Sequence, residues 1–287
     1  MIPRANITAW RDRAPWPSNE QVEQDLVLSR ALVAMFSHSV VAERVVFRGG
    51  TALHKIFLSG VGRYSEDIDL VQRDAGPIGG LVGAIRESLD SWLGSPQWKQ
   101  GTGRFALYYR FQTSFAPVSN RRLKVEIDTR EHVSVLGTTT RPFTVDNPWF
   151  SGTAEIPVYH LDELLGTKLR ALYQRKKGRD LYDLWLALRT GEPSSGRVVE
   201  CFLRYMAHDG ATVSRAEFEA NLSGKVTSEA FIEDSRLLVS PDVEYDPVTA
   251  AQVVKDELIV KLPGKPWKGA NAEGPPRPLR SKSRHPG

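Results

Sequence analysis

The sequence predicts an α+β protein in which a mixed β-sheet is followed by a mostly helical C-terminal region. Apolar and polar residues alternate, as they do in half-buried strands, at residues 105–113 and 122–129. Beyond about Pro157 the apolar residues recur every three or four positions, which is typical of helices packed on one face. The predicted divisions are a domain with the sheet at 1–156, a helical domain at 157–269 and a flexible basic tail at 270–287.

Composition and charge exclude some classes of protein. The 287 residues are 41% hydrophobic and 25% charged, as in ordinary folded proteins, and contain no run of about 18–20 apolar residues that would cross a bilayer. We therefore expect a cytoplasmic protein without membrane contact. The single cysteine, Cys201, excludes an internal disulfide and is expected to be buried. The net charge of +4 suits a polyanionic partner but does not identify one.

Capping residues and apolar spacing predict the order of the elements. Ser18 and Gln21 form a capping-box pattern, which predicts a long helix from there to about His38. The β-rich run at 44–48 predicts a strand that stops at two glycines. Further elements are predicted as a strand at 67–71 and helices at 51–58, 85–93, 161–175, 180–189, 198–208 and 215–222.

Two motifs in the N-terminal half carry chemistry. Asp67 and Asp69 are two residues apart in a predicted strand, so their carboxylates lie on one face and repel each other unless a cation lies between them. Mg²⁺ prefers such oxygen ligands together with substrate phosphates. Gly49 and Gly50 lack a Cβ atom and precede a helix, so their N–H groups can approach a triphosphate. An ordinary turn or a solvated strand edge explains either motif alone, but their order and spacing favour a shared metal and phosphate site.

A third carboxylate is expected to complete a two-metal site and to accept the proton of an attacking hydroxyl. In the strand at 123–128, alternation places Lys124, Glu126 and Asp128 on one face. We favour Glu126 over Asp128 as the third carboxylate. The alternative is an amphipathic edge strand whose outer face is solvated.

A Leu-rich helix places Lys168 at the border of its apolar stripe, where the ammonium group either reaches solvent or contacts a phosphate. The basic turn that follows, which contains Arg175 and Arg179, suits a triphosphate or an RNA backbone, or is simply a solvated loop. Of Asp180 and Asp183, one is expected to cap the next helix and the other to pair with a basic residue.

The order of these motifs resembles that of the AbiEii-type nucleotidyltransferase toxins, which include the MenT toxins and belong to the polymerase-β-like superfamily. Segments 47–53 and 63–70 are similar to the two halves of the family's opening motif. Lys168 matches its lysine motif, and residues 179–184 match its Arg-Asp motif. The resemblance covers roughly residues 20–190, and no motif is recognised in the last hundred residues.

The resemblance implies a polymerase-β-like nucleotidyltransferase domain, a helical C-terminal domain and a cleft between them for a nucleoside triphosphate. It also implies transfer of nucleotides to RNA, with the 3′ end of tRNA favoured, inhibition of growth or phage propagation by abortive infection, and a cognate antitoxin. Mg²⁺, or Mn²⁺ in its place, is the implied cofactor, with Asp67, Asp69 and Glu126 as metal ligands. The implied catalytic residues are Asp67, Asp69, Glu126, Asp128, Lys168 and Asp180. The implied nucleotide-binding residues are Gly49, Gly50, Thr51, Lys55, Ser65, Arg175 and Arg179.

Two other functions are compatible with the sequence. A nucleotidyltransferase that modifies a small molecule or a protein would use the same chemistry, whereas an RNA acceptor requires a continuous basic surface leading from the site. The second is a nucleotide-binding interaction protein without turnover, against which the presence of both Asp67 and Asp69 argues. The residues that could form the basic surface are Arg121, Arg122, Lys124, Arg170, Arg175, Lys176, Lys177 and Arg179.

Overall fold

The computed structural model describes residues 2–59, 62–236, 238 and 243–269, so the predicted basic tail lies outside the described residues. Seven strands form one mixed sheet. They are β1 (Val45–Arg48), β2 (Asp67–Gln72), β3 (Gln97–Gly101), β4 (Arg104–Gln112), β5 (Asn120–Asp128), β6 (Thr138–Asn147) and β7 (Phe150–Tyr159). Their order across the sheet is β3-β4-β5-β2-β1-β7-β6.

Eleven α-helices are found in the part of the chain that the structure describes. They are α1 (Arg4–Trp10), α2 (Asn19–Phe36), α3 (Ser39–Arg44), α4 (Gly49–Ala52), α5 (Gly79–Leu93), α6 (Leu161–Gln174), α7 (Gly178–Thr190), α8 (Ser195–His208), α9 (Arg215–Val226), α10 (Glu229–Arg236) and α11 (Pro247–Glu257). No helix of these described segments is both long enough and apolar enough to cross a bilayer.

The sheet is mixed because its central strand has neighbours of both directions. Strand β2 pairs antiparallel with β1 and parallel with β5. Strand β1 pairs parallel with β7, and the outer pairs β3/β4, β4/β5 and β6/β7 are antiparallel. The predicted mixture of helices with a mixed sheet is therefore confirmed.

The capping box predicted for the long helix is present. The Ser18 side chain accepts a hydrogen bond from the Gln21 backbone N–H, and the Gln21 side chain accepts one from the Ser18 backbone N–H, each at 3.2 Å. The helix predicted at 51–58 differs, because α4 already begins at Gly49 and continues as a π-helix, Leu53–Phe57. Single turns of π-helix occur frequently at functional sites.

Two apolar clusters hold the molecule together. The first lies between one face of the sheet and helices that include α2 and α5, with Leu26, Leu70 and Ile127 fully or almost fully buried. The second is formed mainly by α6 to α11. Cys201 is buried as predicted, where α6 and α8 approach so closely that a Cβ atom on Gly166 would lie 2.5 Å from the Cys201 Cβ.

Several elements lacked a detectable pattern in the sequence. Every residue of β3 is exposed, and most of β6 is exposed or half-buried, so neither strand has the clean alternation by which a half-buried strand is recognised. The other elements without a prediction are α1, α3, α10, α11 and β7.

Candidate active site

Three carboxylates are brought to one face of the sheet by the parallel pairing of β2 with β5. Asp67 lies opposite Lys124, and Asp69 lies opposite Glu126. Since opposite residues of adjacent strands share a face, the acidic side chains of both strands are neighbours. The Lys124 ammonium lies between them, 2.7 Å from Glu126 Oε2 and 3.7 Å from Asp67 Oδ2. A cation of the chain itself therefore already occupies a position among the carboxylates.

The ionised forms of Asp67 and Asp69 on β2 are disfavoured unless a further cation is bound. Burial raises the pKa of Asp67 to about 6, and the negative charges of Asp69, Glu66 and Glu126 act in the same direction against Lys124. Burial also raises the pKa of Asp69. Both shifts mean that the charged forms of these groups are disfavoured at this place and would be favoured by a bound cation.

The donor set suits a hard divalent cation that is shared with a substrate. Among the described residues, no three acidic, histidine or cysteine side chains are already grouped as the ligands of a metal ion. Glu126 is engaged by Lys124, so a metal would have to replace that contact. All donors are carboxylate oxygens, and Mg²⁺ commonly binds through one or two carboxylates while substrate phosphates and water supply the rest. Asp67, Asp69 and Glu126 therefore fit Mg²⁺ bound together with a triphosphate.

Asp128 is occupied by structural contacts. Its Oδ1 accepts hydrogen bonds from the backbone N–H groups of Arg130 and Glu131, at 2.9 and 3.0 Å, and its Oδ2 lies 2.9 Å from Arg48 Nη2. Burial alone would raise the pKa of Asp128, but these two donors and the Arg48 charge lower it. The contacts hold Asp128 at the end of β5, which favours Glu126 as the third carboxylate.

The glycine turn lies against the carboxylates and leaves no room for side chains. A Cβ atom on Gly49, whose φ is +80°, would lie 2.4 Å from Asp69 Oδ2. A Cβ atom on Gly50 would lie 2.8 Å from Arg63 Nη2, 3.4 Å from Lys168 Nζ and 3.5 Å from Ser65 Oγ. The turn thus places backbone atoms beside Asp69 on one side and basic groups on the other.

A hydroxyl pair joins this turn to the acidic strand. Thr51 Oγ1 lies 2.7 Å from Ser65 Oγ and also donates a hydrogen bond to the backbone carbonyl of Asp67. Helix α4 and the start of β2 are therefore fixed to each other. Of the residues predicted to bind nucleotide, Gly49, Gly50, Thr51 and Ser65 lie together beside the acidic strand.

The variant Gly49→Ala is expected to lose both stability and nucleotide transfer. Positive φ alone costs about 1 kcal/mol for alanine, and the Cβ atom would also displace the Asp69 carboxylate. Gly210→Ala is a matched control, since Gly210, just after α8, has φ +72° with no atom within 4 Å of its Cβ position. Urea unfolding should show a larger loss for Gly49→Ala than for Gly210→Ala, and only Gly49→Ala should lose activity. Equal losses with full activity in both would contradict this role.

A buried cluster of charges stands behind the glycine turn. Asp183 is fully buried and accepts two hydrogen bonds from the Arg63 guanidinium at 2.7 and 3.0 Å. Lys168 Nζ lies 2.7 Å and His54 Nε2 2.8 Å from the same carboxylate. Burial would raise the pKa of Asp183, but its three basic partners hold that pKa well below 3.8. Because Lys168 also lies 3.4 Å from Asp180, the lysine links two acidic residues of α7.

This cluster shows what the spacing of the sequence did not reveal. Lys168 is 6% exposed, so it lies within the protein and not at the solvent border of its helix. Arg63 and His54 were not predicted as site residues, and they lie 120 and 129 positions from their partner Asp183. No local pattern signals a contact over such a distance. For Asp183 the sequence predicted only that it either caps the helix or pairs with a basic residue.

The remaining predicted nucleotide-binding residues have acidic partners. Arg175 forms two hydrogen bonds with Asp180, at 2.7 and 2.8 Å, and half of its side chain is exposed. Lys55 lies 2.6 Å from Asp25, a buried carboxylate on α2. Arg179 lies beside Asp234 on α10. Arg175 and Lys168 therefore share the partner Asp180. Lys55 and Arg179 instead pair with acidic residues other than Asp67, Asp69 and Glu126.

The predicted basic surface divides into two groups. Three members lie on β5, where Arg121 pairs with Glu20 and Lys124 with Glu126. The others lie on or between α6 and α7, and most pair with acidic residues of the chain. Since most of these charges are already compensated, the eight residues do not by themselves form one free basic surface.

The site defines a class of protein. Paired carboxylates on a central strand, a third on the adjacent parallel strand and a glycine turn next to basic groups suit a metal-dependent nucleotidyltransferase, the class that the resemblance of the sequence implies. The chain belongs to the AbiEii family, because the family profile described as "Nucleotidyl transferase AbiEii toxin, Type IV TA system" matches residues 30–247. It is thus a nucleotidyltransferase toxin of a toxin–antitoxin family, which implies a nucleoside triphosphate substrate and a cognate antitoxin.

Solved structures share the fold. MenT4, a nucleotidyltransferase toxin from Mycobacterium tuberculosis H37Rv, is 20% identical, with 92% of this chain and 91% of that chain covered and a TM-score of 0.67. JHP933 from Helicobacter pylori is 18% identical, with coverages of 84% and 90% and a TM-score of 0.56. A putative nucleotidyltransferase from H. pylori is also 18% identical, with coverages of 84% and 93% and a TM-score of 0.54. No curated protein sequence matches the chain.

Proposed function

We propose that the chain transfers a nucleotide from a nucleoside triphosphate to the 3′ end of an RNA in a Mg²⁺-dependent reaction, with tRNA as the favoured acceptor. The observation that carries the proposal is the grouping of Asp67, Asp69 and Glu126 on one sheet face beside the glycine turn. Blocking an RNA 3′ end would account for a toxin that inhibits growth or phage propagation and requires an antitoxin.

In this proposal each acidic residue has a defined task. Asp67, Asp69 and Glu126 would hold Mg²⁺, or Mn²⁺ in its place, and the bound ion would supply positive charge to the triphosphate and lower the pKa of the attacking hydroxyl. The 3′ oxygen of the acceptor forms a bond to the α-phosphorus while the bond to pyrophosphate breaks. The proton of the hydroxyl would pass to a carboxylate. We assign this task to Glu126, whose contact with Lys124 a bound metal would replace, in preference to Asp128, which two backbone N–H groups and Arg48 hold in the fold.

Basic groups behind the glycine turn would stabilise the triphosphate. Gly49 and Gly50 open α4, and Lys168 Nζ lies 3.4 Å from the position that a Cβ atom on Gly50 would take. Without Cβ atoms, the backbone of the turn would be able to approach a phosphate closely. Arg175 is half exposed and is fixed by Asp180, so its guanidinium is available on one side. Asp180 is therefore proposed as a positioning residue for Arg175 and Lys168.

Labelling of RNA tests this function. The full chain would be incubated with total bacterial RNA, Mg²⁺ and each α-³²P-labelled nucleoside triphosphate in turn, with Asp69→Ala as the control. Label in tRNA-sized RNA that is lost in the variant would support the proposal and identify the nucleotide. If no triphosphate labels RNA while label enters protein or small molecules in a cell lysate, the acceptor assignment is wrong.

Asp67→Asn is expected to stabilise the metal-free protein at pH 8. The pKa of Asp67 rises from 3.8 to about 6 on folding, so its charge opposes folding above pH 6, and this cost disappears as the pH falls towards 4. Such a shift would be worth about 3 kcal/mol if fully buried, but with 43% of the side chain exposed we expect about 1 kcal/mol, or about 2 °C in Tm.

Thermal unfolding between pH 4 and pH 8 measures this difference. The Tm advantage of Asp67→Asn should be present at pH 8 and vanish near pH 4, and Glu155→Gln, on an exposed part of β7, should show neither effect. Added Mg²⁺ and triphosphate should raise the Tm of the wild-type chain more than that of Asp67→Asn. A lower Tm for Asp67→Asn at pH 8 would contradict the electrostatic account.

A further inference from the structure

The sheet face that carries the three carboxylates continues outward to the edge of the sheet. On β4, Ala106 lies opposite Glu126 and Tyr108 lies opposite Lys124. On the edge strand β3, Lys99 lies opposite Ala106. Because directly paired residues share a face, these side chains form a surface that is continuous with the active site.

This outer part of the face is basic. The residues on it include Lys99, Arg104, Arg110 and Arg122, all of which are exposed. The acidic residues that the three strands contribute to the same face are Glu126 and Asp128, and these are engaged by Lys124 and Arg48. Arg104 makes only a 3.8 Å contact to Glu126, and its side chain is 69% exposed. The positive charge of these four residues is therefore largely uncompensated.

An aromatic ring lies among these charges. Tyr108 is half-buried, and the Arg122 guanidinium lies 5.4 Å from the centre of its ring. A flat ring next to arginine on the open face of a sheet is a surface on which an unpaired nucleobase can stack. An acidic protein segment would need the charges but not the ring, so the combination favours nucleic acid.

The basic residues lead directly to a carboxylate of the site. The residues that line one open pocket of about 410 Å³ include Glu66, Asp67, Arg110, Arg121 and Arg122. A chain of phosphates on the arginines could therefore end with its terminal hydroxyl at Asp67. The residues Lys99, Arg104, Tyr108, Arg110 and Arg122 are named the basic platform below.

We propose that the basic platform binds the single-stranded 3′ end of the RNA acceptor. The four basic side chains contact backbone phosphates, Tyr108 stacks on a base near the end, and the terminal 3′-hydroxyl reaches Asp67 and Glu126. This inference rests on the proposed function for the identity of the acceptor. Its preference for single strands follows from the stacking contact, which a base inside a duplex cannot make.

RNA binding without triphosphate tests the platform separately from catalysis. The probe is a 12-nucleotide single-stranded RNA with a 5′ fluorophore and a free 3′-hydroxyl, and fluorescence anisotropy of the full chain gives Kd at several salt concentrations. Tyr108→Ala should weaken binding at least about fivefold, and Tyr108→Phe should restore it, because the ring supplies the stacking contact. Arg104→Ala and Arg110→Ala should each lower the slope of log K against log salt by about 0.7.

Control measurements distinguish weaker RNA binding at the platform from the effect of removing any positive charge and from misfolding of a variant. Lys261→Ala removes the same charge from an exposed residue far along the chain and should change neither Kd nor slope. Every variant should unfold cooperatively on heating, which shows that it is folded, and should keep the Tm shift produced by Mg²⁺ and triphosphate. A blunt RNA hairpin of equal charge should bind more weakly than the single strand.

The outcomes distinguish the platform from the function on which it rests. Unchanged Kd and slope in Tyr108→Ala, Arg104→Ala and Arg110→Ala would overturn the platform, even if the chain labels RNA. If the wild-type chain labels no RNA but these variants bind RNA more weakly than it does, the platform is retained and the proposed transfer reaction is wrong.

Discussion

Asp69→Asn is expected to reduce nucleotide transfer by about 10³-fold or more while leaving the fold intact. Asp69 lies on β2 opposite Glu126. Because burial raises the pKa of Asp69, its negative charge does not stabilise the metal-free fold and is favoured only when a cation is bound. Removing this charge takes away a metal ligand but no ion pair of the fold. The measurement is the initial rate of label incorporation from α-³²P nucleoside triphosphate, together with Tm in metal-free buffer.

The matched control is Asp128→Asn, a carboxylate on the same face of the neighbouring strand. Asp128 accepts two backbone hydrogen bonds and pairs with Arg48, so its loss should cost about 1–3 kcal/mol of stability and leave transfer within about tenfold of wild type. Glu126→Gln should lose transfer as Asp69→Asn does, although it also removes the Lys124 ion pair. If Asp128→Asn abolished transfer while Glu126→Gln did not, Asp128 would be the third carboxylate.

Asp183→Asn is expected to have the largest effect on folding, about 3–5 kcal/mol, because it leaves Arg63 and Lys168 buried without their shared counter-charge. A loss of this size should lower the Tm by about 6 °C or more. In the folded protein the pKa of Asp183 is well below 3.8. Its ionised form therefore contributes fully to the free energy of unfolding above about pH 4, and this contribution is lost as the pH falls below that value. Urea unfolding at pH 7 and at pH 3 measures both expectations.

Asp209→Asn provides the comparison for this stability loss. Asp209 contacts Arg170 at 3.4 Å but is 38% exposed, and such ion pairs contribute about 0–1 kcal/mol. The difference between the two variants at pH 7 therefore reports the burial of the Asp183 cluster. Similar losses for both variants would show that the buried cluster is not a main source of stability.

The sequence was informative where a local pattern carries the structure. The spacing of Asp67 and Asp69 predicted their shared face, and the alternation in β5 predicted that Lys124, Glu126 and Asp128 lie together. The capping box predicted the start of α2. In each case the deciding residues lie within a few positions of each other, so secondary-structure geometry alone determines the outcome.

Long-range contacts were the features that the sequence did not reveal. Periodicity placed Lys168 at the edge of an apolar stripe, but Asp180 and Asp183 of the next helix enclose it. Local pattern gave Glu126 and Asp128 almost equal status, and only the fold shows that Arg48 and two backbone donors already hold Asp128. The partners of Lys55 and Arg179 likewise come from distant helices. Such contacts depend on how helices and strands pack against each other, which the pattern of a single segment does not predict.

Binding of Mn²⁺ is the most direct measurement of the central claim, that Asp67, Asp69 and Glu126 bind a divalent metal together with a triphosphate. Electron paramagnetic resonance would measure free and bound Mn²⁺ in the presence of an α,β-methylene nucleoside triphosphate, which cannot be turned over. The account predicts that the wild-type chain and Asp128→Asn bind Mn²⁺ with similar affinity, while Asp69→Asn and Glu126→Gln bind it at least about tenfold more weakly. Equal affinity in all four proteins would contradict the account.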